Sequence, residues 1–311
     1  MADAKLTVVL VSYNTKALLV KLLGHLQGTD WLVPVVIDNA SGDGSADAVA
    51  TQFRSIELIR NTDNVGFARA ANQGIARAST PYVVLLNPDT AITPALLSSL
   101  VKYLEDHRDV WAVAPRLIAS DGSVQTMAAG FAPTPWRAFL YFLGISYLIP
   151  WPASGFSVPP RIARPVDVDW LSGACFAFRR EVVDRVGPLD GTFFMYGEDM
   201  DWCRRMRAAG GRLVLLADLD LKHERAASSG HEVASTAWLT GLARYVRPQT
   251  TQLGARLFFI AAAMGFGLRG MRFVWPGSSG RRSTLWRYAG AAARIAMQPS
   301  QPSDPQPAPT K

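Results

Sequence analysis

Four short apolar runs, spaced by stretches of helical length, constrain this chain more than any other feature. They are LTVVLV (6–11), VPVVI (33–37), IELI (56–59) and YVVLL (82–86). Runs this rich in Val, Ile and Leu suit strands buried on both faces of a parallel sheet. Helical patterns fill the gaps, over about 16–26, then to about 53, to about 78, and from Pro94 to about 106. Pro94 fits a first helical turn. Strand alternating with helix predicts an α/β domain with a parallel sheet. Each run delivers polar residues at its end: Ser12, Tyr13 and Asn14; Asp38 and Asn39; 61–64; Asn87 and Asp89. Ligands of open α/β sheets bind in the crevice outside those ends. One such tip is an ordinary turn, but four together suit a ligand of nucleotide size. The first loop lacks a G-x-G-x-x-G pattern and no P-loop pattern occurs, which argues against dinucleotide and P-loop chemistry.

The second half is less regular. A strand is expected from 112–114, a hairpin around Asp121-Gly122, and a loop or surface-active segment over 131–160, which is rich in Trp, Phe, Tyr and Pro. VDVDWLSGACFAFR (166–179) reads as strand, turn, strand, and a short helix over 180–186 stops at Gly187-Pro188. FFMYGEDMDWCRR (193–205) then crowds Glu198, Asp199 and Asp201 into four positions behind an aromatic approach. On a helix these acids occupy the first turn, where the positive helix end favours them. Asp201 and Arg205 would pair at four residues' spacing. A strand over 213–216 precedes His223.

Charge is unevenly placed. The net charge is +7, yet no Asp or Glu lies between Glu232 and Asp304, a stretch that holds nine arginines. Outside it, basic residues no longer outnumber acidic ones, so an acidic partner is expected there. Its interspersed Leu, Phe, Trp and Ala argue against nucleic acid and for an anionic membrane surface. LFFIAAAMGFGL (257–268) is apolar but only 12 residues long. A spanning helix needs about 20, so the region is expected either to lie on the membrane without crossing it or to pack as a helical pair on the catalytic domain or a second subunit. With Cys175 and Cys203 the only cysteines, a reducing compartment is the default. The first residues lack the apolar core and cleavage site of a signal peptide. The expected organisation is a catalytic domain over 1–243, with a nucleotide-binding half over 1–110 and an acceptor half over 111–243. A basic amphipathic helical extension follows over 244–297, then a disordered tail over 298–311.

VSYN, DNASGDGS, NVGFARAAN, LLNPD, WLSGACFAFRR, FFMYGEDMDWCRR and a late His223 occur in this order. Together they resemble the inverting family-two glycosyltransferases of the GT-A fold, a Rossmann-like architecture with a mainly parallel sheet. They are most similar to bacterial rhamnosyltransferases of cell-surface polysaccharide synthesis. The resemblance covers about residues 6–229.

It implies roles. Asp89 and His223 would hold Mg²⁺ or Mn²⁺ at the donor diphosphate. The family's D-x-D motif stands here as Asn87-Pro88-Asp89, with one carboxylate in place of two. Asp38 would hydrogen-bond the nucleotide base, with Ser12, Tyr13 and Asn14 lining the same pocket. Arg69 would sit near the diphosphate, and Asn87 beside the donor. Asp199 would be the base that takes the acceptor proton, with Glu198 orienting acceptor or base. The implied donor is dTDP-L-rhamnose, and a UDP-hexose or UDP-N-acetylhexosamine is the second reading. The implied acceptor is a saccharide or lipid-linked saccharide at the inner face of the cell membrane. A non-catalytic saccharide- or nucleotide-binding domain on the same fold is the alternative of another class.

Overall fold

The computed structural model describes residues 5–149, 156–224, 234–272 and 279–298. In chain order the elements begin β1 (Leu6–Ser12), α1 (Lys16–Leu26), β2 (Leu32–Asp38), α2 (Ser45–Gln52), β3 (Glu57–Arg60), α3 (Phe67–Ala76), β4 (Tyr82–Leu86) and α4 (Pro94–Asp106). Next come β5 (Val110–Ile118), β6 (Ala129–Gly130), α5 (Pro135–Phe142), β7 (Val166–Val168), β8 (Trp170–Leu171), β9 (Cys175–Arg179), α6 (Glu181–Val186), α7 (Glu198–Ala208) and β10 (Arg212–Lys222). Three helices close the order: α8 (Ala234–Val246), α9 (Gln252–Arg272) and α10 (Ser279–Met297).

Eight strands form one sheet in the order β3-β2-β1-β4-β9-β5-β10-β7. β1 runs parallel to β2 and β4, β2 to β3, and β5 to β10. β9 enters antiparallel between β4 and β5, and β7 caps the β10 edge antiparallel. The sheet is therefore mixed but mainly parallel. Side-chain alternation sorts the layers. Val8 and Leu10 of β1 share a buried cluster with Leu19, Leu22 and Leu23 of α1 and Leu97, Leu100 and Leu104 of α4. Val9 faces the other way, onto α3, where a Cβ on Gly74 would lie 2.4 Å from Val9 Cγ1. Phe176 and Phe178 pack against Trp202 of α7, tilted and edge-on, at 5.6 and 4.8 Å between ring centres. Each such fully buried apolar side chain contributes about 1.5–3 kcal/mol.

Three stretches differ from the sequence expectation. Part of 131–160 is helical: the Thr134 hydroxyl accepts from the Arg137 N–H and Pro135 opens the turn, so α5 starts on a side-chain cap. The 166–179 stretch divides among two sheets, with β8 pairing β6 apart from the main one. β10 runs six residues further than the expected 213–216, because its register against β5 shifts between Leu216 and Asp220 and pairing then resumes to Lys222.

The chain divides into two compact units, 1–132 with 157–234 and 133–156 with 235–311. The boundary expected at 243/244 thus compares with one at 234/235, and α5 belongs with the C-terminal helices. In that second unit Phe142 meets Phe258 and Phe266 at 6.1 and 5.1 Å, and Arg247 Nη2 donates to the Ile295 carbonyl at 2.9 Å. The tail expected over 298–311 lies outside the described residues except for Gln298, whose N–H donates to Arg294 O.

Candidate active site

The tips of β1, β2 and β3 are tied through one residue. Asn39 is 3% exposed. Its Nδ2 donates to Asn64 Oδ1 at 2.7 Å, and its Oδ1 accepts from Asn61 Nδ2 and the Val65 N–H, both at 3.1 Å. The Asn39 N–H donates to Ser12 O at 2.8 Å. The sequence marks Asn39 as a polar residue at the end of the second run, but gives no sign that it ties the loops together. Asn14, at φ +54°, closes the first loop on the second: its N–H donates to Ser41 Oγ at 3.0 Å and its Oδ1 accepts from the Gly42 N–H at 2.8 Å. Ser12 is fully buried and its hydroxyl pairs with Thr15 Oγ1 at 2.8 Å, while Tyr13 is half-buried. Asp38 is 4% exposed. Its Oδ2 accepts from the Ser41 N–H at 3.1 Å, and its Oδ1 is buried without a hydrogen-bond partner. A buried carboxylate oxygen left unpaired costs about 1–3 kcal/mol or more, which a ligand N–H would relieve.

A second group forms where β4 ends. The β10 register shift carries His223 to the loop after β4, where the Ala91 N–H donates to Lys222 O and the Glu224 N–H to Asp89 O, both at 2.8 Å. Thr90 and His223 form an antiparallel bridge. This brings together Asp89 and His223, which are 7% and 9% exposed. Gln125, in the hairpin after β5, donates from Nε2 to the His223 carbonyl at 2.8 Å. A carbonyl only accepts, so the amide oxygen is the atom 2.9 Å from His223 Nδ1, and Nδ1 must carry the proton. In the neutral ring Nε2 then presents a lone pair. That atom lies 3.2 Å from Asp89 Oδ1 without forming an aligned hydrogen bond. Two electron-pair donors converge, and only a cation reconciles them, a proton on Nε2 or a metal ion. The pair fits an oxygen-and-nitrogen site completed by phosphate and water. Among the described residues no third His, Cys, Asp or Glu joins it. Gln125 had no signal in the sequence, because its partner is 98 residues away. Asn87 is half-buried, and its backbone N–H donates to Ala174 O at 2.9 Å.

The acidic motif opens α7. Tyr196 and Gly197 adopt φ of +68° and +96°, which turns the aromatic approach into the helix. That approach docks on the start of α3, where the Phe67 N–H donates to Phe194 O at 2.7 Å. Gly66 has φ +83°, and any Cβ there would lie 2.4 Å from Phe194 O. Arg69 is exposed, its Nε donates to Gly191 O at 2.8 Å, and Asn72 exchanges two hydrogen bonds with the Leu189 backbone. Asp201 pairs with Arg205 at 2.9 Å as expected, and with Arg204 at 2.8 Å.

The two remaining acids have different surroundings. Glu198 is 4% exposed and its Oε2 has no hydrogen-bond partner. Burial, then the neighbouring Asp199, pushes its carboxyl well above the usual range. Burial also raises Asp199, but N–H groups oppose it: Gly173 donates to Oδ2 at 3.0 Å and Met200 to Oδ1 at 2.8 Å. Hydrogen bonds to the charged form favour ionisation. A proton shared by the pair therefore rests on Glu198, and Asp199 is the anion. The turn that supplies the Gly173 N–H also supplies the Ala174 carbonyl held by Asn87, so the β4 tip and the acidic helix share one support.

Comparison with known proteins agrees with this architecture. The family model described as "Glycosyl transferase family 2" matches residues 7–187. An N-acetylglucosaminyl-diphospho-decaprenol L-rhamnosyltransferase of Mycobacterium tuberculosis is 30% identical over 74% of this chain and 79% of its own length. The rhamnosyltransferase WbbL of Escherichia coli is 24% identical over 66% of this chain and 78% of its own. Among solved structures, the mannosyltransferase PcManGT of Pyrobaculum calidifontis, in complex with GDP-Man and Mn²⁺, superposes with a TM-score of 0.57 at 18% identity, covering 97% of this chain and 89% of that one.

Proposed function

The chain belongs to glycosyl transferase family 2 and has the GT-A fold, and from that premise we propose that it moves L-rhamnose from dTDP-rhamnose to a lipid-linked saccharide, with inversion. Asp199 is the base, and the observation that carries this reading is its amide-held carboxylate beside Glu198. Two adjacent acids pushed apart in proton affinity take different tasks: Asp199 accepts the proton of the acceptor hydroxyl as it attacks, and protonated Glu198 can donate a hydrogen bond to the incoming sugar. With Glu198 neutral and one anion present, a single displacement needs no covalent intermediate, and the anomeric configuration inverts.

Asp38 Oδ1 takes a base N–H of the nucleotide, and Tyr13 and Asn14 flank it. Ser12 acts from beneath, through Thr15. The terminal nitrogens of Arg69 carry no protein partner among the described residues and are free for the diphosphate. Asn87 stands beside the donor on the same tip as Asp89. Asp89 and His223 would hold Mg²⁺ or Mn²⁺, and a divalent ion there would offset the charge developing on the departing diphosphate.

The choice of rhamnose rests on the two rhamnosyltransferase relatives, the lipid-linked acceptor on the mycobacterial one, whose name states sugar and acceptor, and dTDP as the nucleotide on the motif resemblance. That acceptor would place the enzyme at the inner face of the cell membrane. Purified protein offered dTDP-L-rhamnose, UDP-glucose and UDP-N-acetylglucosamine with Mg²⁺ or Mn²⁺ tests the proposal by nucleoside diphosphate release. Release from dTDP-L-rhamnose alone is expected. Preference for a UDP-sugar would reassign the donor, and binding without turnover would favour a saccharide- or nucleotide-binding domain.

A further inference from the structure

Helix α9 is apolar on the side where a helix of a globular protein is usually polar. Leu253, Leu257, Ile260, Met264, Leu268 and Met271 recur at spacings of three and four, and each is 45–66% exposed. They form one stripe roughly 27 Å long. Arg256 is exposed within the same turns, and half-exposed Trp286 of α10 lies over Gly270 at the far end, its Nε1 3.0 Å from where a Cβ would stand. On α5 of the same unit Trp136 and Phe139 are exposed, with ring centres 5.6 Å apart.

We propose that this stripe docks, lying flat, on an anionic lipid surface. Charge selects the occupant. Residues 233–303 hold nine arginines and no acid, and Arg256 of α9 and Arg287 and Arg294 of α10 are exposed. A second copy would bring the same unrelieved positive charge to the same face. An anionic bilayer offers both what the arginines need and what the leucines need. Burial selects the flat orientation. Residues Gln252–Met271 are long and apolar enough to cross a membrane by length and composition, so the 12-residue run understates the helix. Yet Phe258, Phe259, Ala262 and Phe266 on the opposite side are at most 6% exposed. Phe266 meets Trp238 and Tyr288 at 6.0 and 5.4 Å, and Arg269 Nη2 donates to the Tyr141 carbonyl at 3.0 Å. Crossing would strip these contacts, whereas docking keeps them. The docking goes beyond the catalytic reading and does not depend on which sugar is moved.

Vesicle flotation of the full chain tests it. Binding is expected to phosphatidylcholine vesicles containing phosphatidylglycerol, not to phosphatidylcholine alone, and should weaken with salt. Leu257→Glu, Ile260→Glu and Met264→Glu combined should cut that binding at least about tenfold. These sites are already in water, so the circular-dichroism melt should stay unchanged. A second variant, Arg256→Gln with Arg287→Gln and Arg294→Gln, should lose the preference for phosphatidylglycerol and keep the fold. Failure of the wild type to bind at low salt, or equal binding by both variants, overturns the proposal. So does a lipid-free dimer that the glutamates dissolve, or resistance to alkaline extraction from cell membranes, which would mean a crossing helix. Donor hydrolysis, measured in parallel without lipid, reports on the catalytic reading separately.

Discussion

The amide oxygen of Gln125 accepts from Nδ1 of His223 at 2.9 Å and thereby leaves the other ring nitrogen to face Asp89 Oδ1 at 3.2 Å. A residue outside the pair thus decides which ring nitrogen is available. Partners of this kind typically change metal affinity about 10- to 100-fold. Gln125→Leu is expected to weaken Mn²⁺ binding by that factor with Asp89 and His223 both present, read by paramagnetic titration in the presence of dTDP. Asp89→Ala and His223→Ala should each remove the tight site, and excess Mn²⁺ should partly restore turnover in the weaker defect. Unchanged Mn²⁺ affinity in Gln125→Leu would show that the tautomer does not matter.

Glu198 links the site to stability. Its folded-state proton affinity is raised by burial and by Asp199. Such a group helps the fold at pH below the ordinary carboxylate range, and that help is lost as pH rises through the raised value. Glu198→Gln removes the ionisation. The variant should match the wild type near about pH 4 and exceed it near about pH 8, read as the urea midpoint. A variant less stable than wild type at the higher pH would contradict the burial argument.

The same electrostatics set the acid limb of the rate profile. Asp199 must be ionised to take a proton, and burial raises its proton affinity above that of a free aspartate. Turnover should therefore fall as pH drops through a value above that of a free aspartate, and Glu198→Gln, which replaces a neutral acid by a neutral amide, should leave the limb in place. A limb at the free-aspartate value would remove Asp199 from the buried pair.

Gly66 fixes the seating of the aromatic approach against α3. Gly66→Ala puts a Cβ 2.4 Å from Phe194 O at φ +83°. The strained backbone alone costs about 1–3 kcal/mol, and the clash adds to it. Gly122→Ala is the control, at φ +80° with nothing within 4 Å. Chemical denaturation should show a clearly larger loss for Gly66→Ala. Equal losses would mean that the Phe194 contact yields without cost.

Much of the α/β half was legible because its signals are local. The strand ending at Leu86 and the helices over 16–26 and 94–106 follow from apolar runs, spacing and Pro94. The residues that organise the site were less legible because their partners are distant. Asn39 works through residues more than 20 positions away, and Gln125 through one 98 positions away. Helix α5 was hidden by composition, since aromatic residues and prolines masked the Thr134-Pro135 cap. β10 was shortened because its register against β5 shifts between Leu216 and Asp220 before pairing resumes, which no local signal announces. The helix α9 was under-read for the opposite reason: small and polar residues at both ends interrupt its apolar run but not its backbone.

Transfer by Asp199→Asn is the most direct measurement of the central claim. The amide keeps the side chain's size but cannot accept the acceptor's proton. In single turnovers with dTDP-L-rhamnose, a saccharide acceptor and Mn²⁺, transfer is expected to slow about 10²- to 10⁴-fold. Donor affinity should stay close to wild type, and the melting temperature should fall modestly, because the amide can accept only one of the Gly173 and Met200 N–H bonds. Near-wild-type transfer by a folded Asp199→Asn protein would contradict the claim, because the proton would then leave by another route.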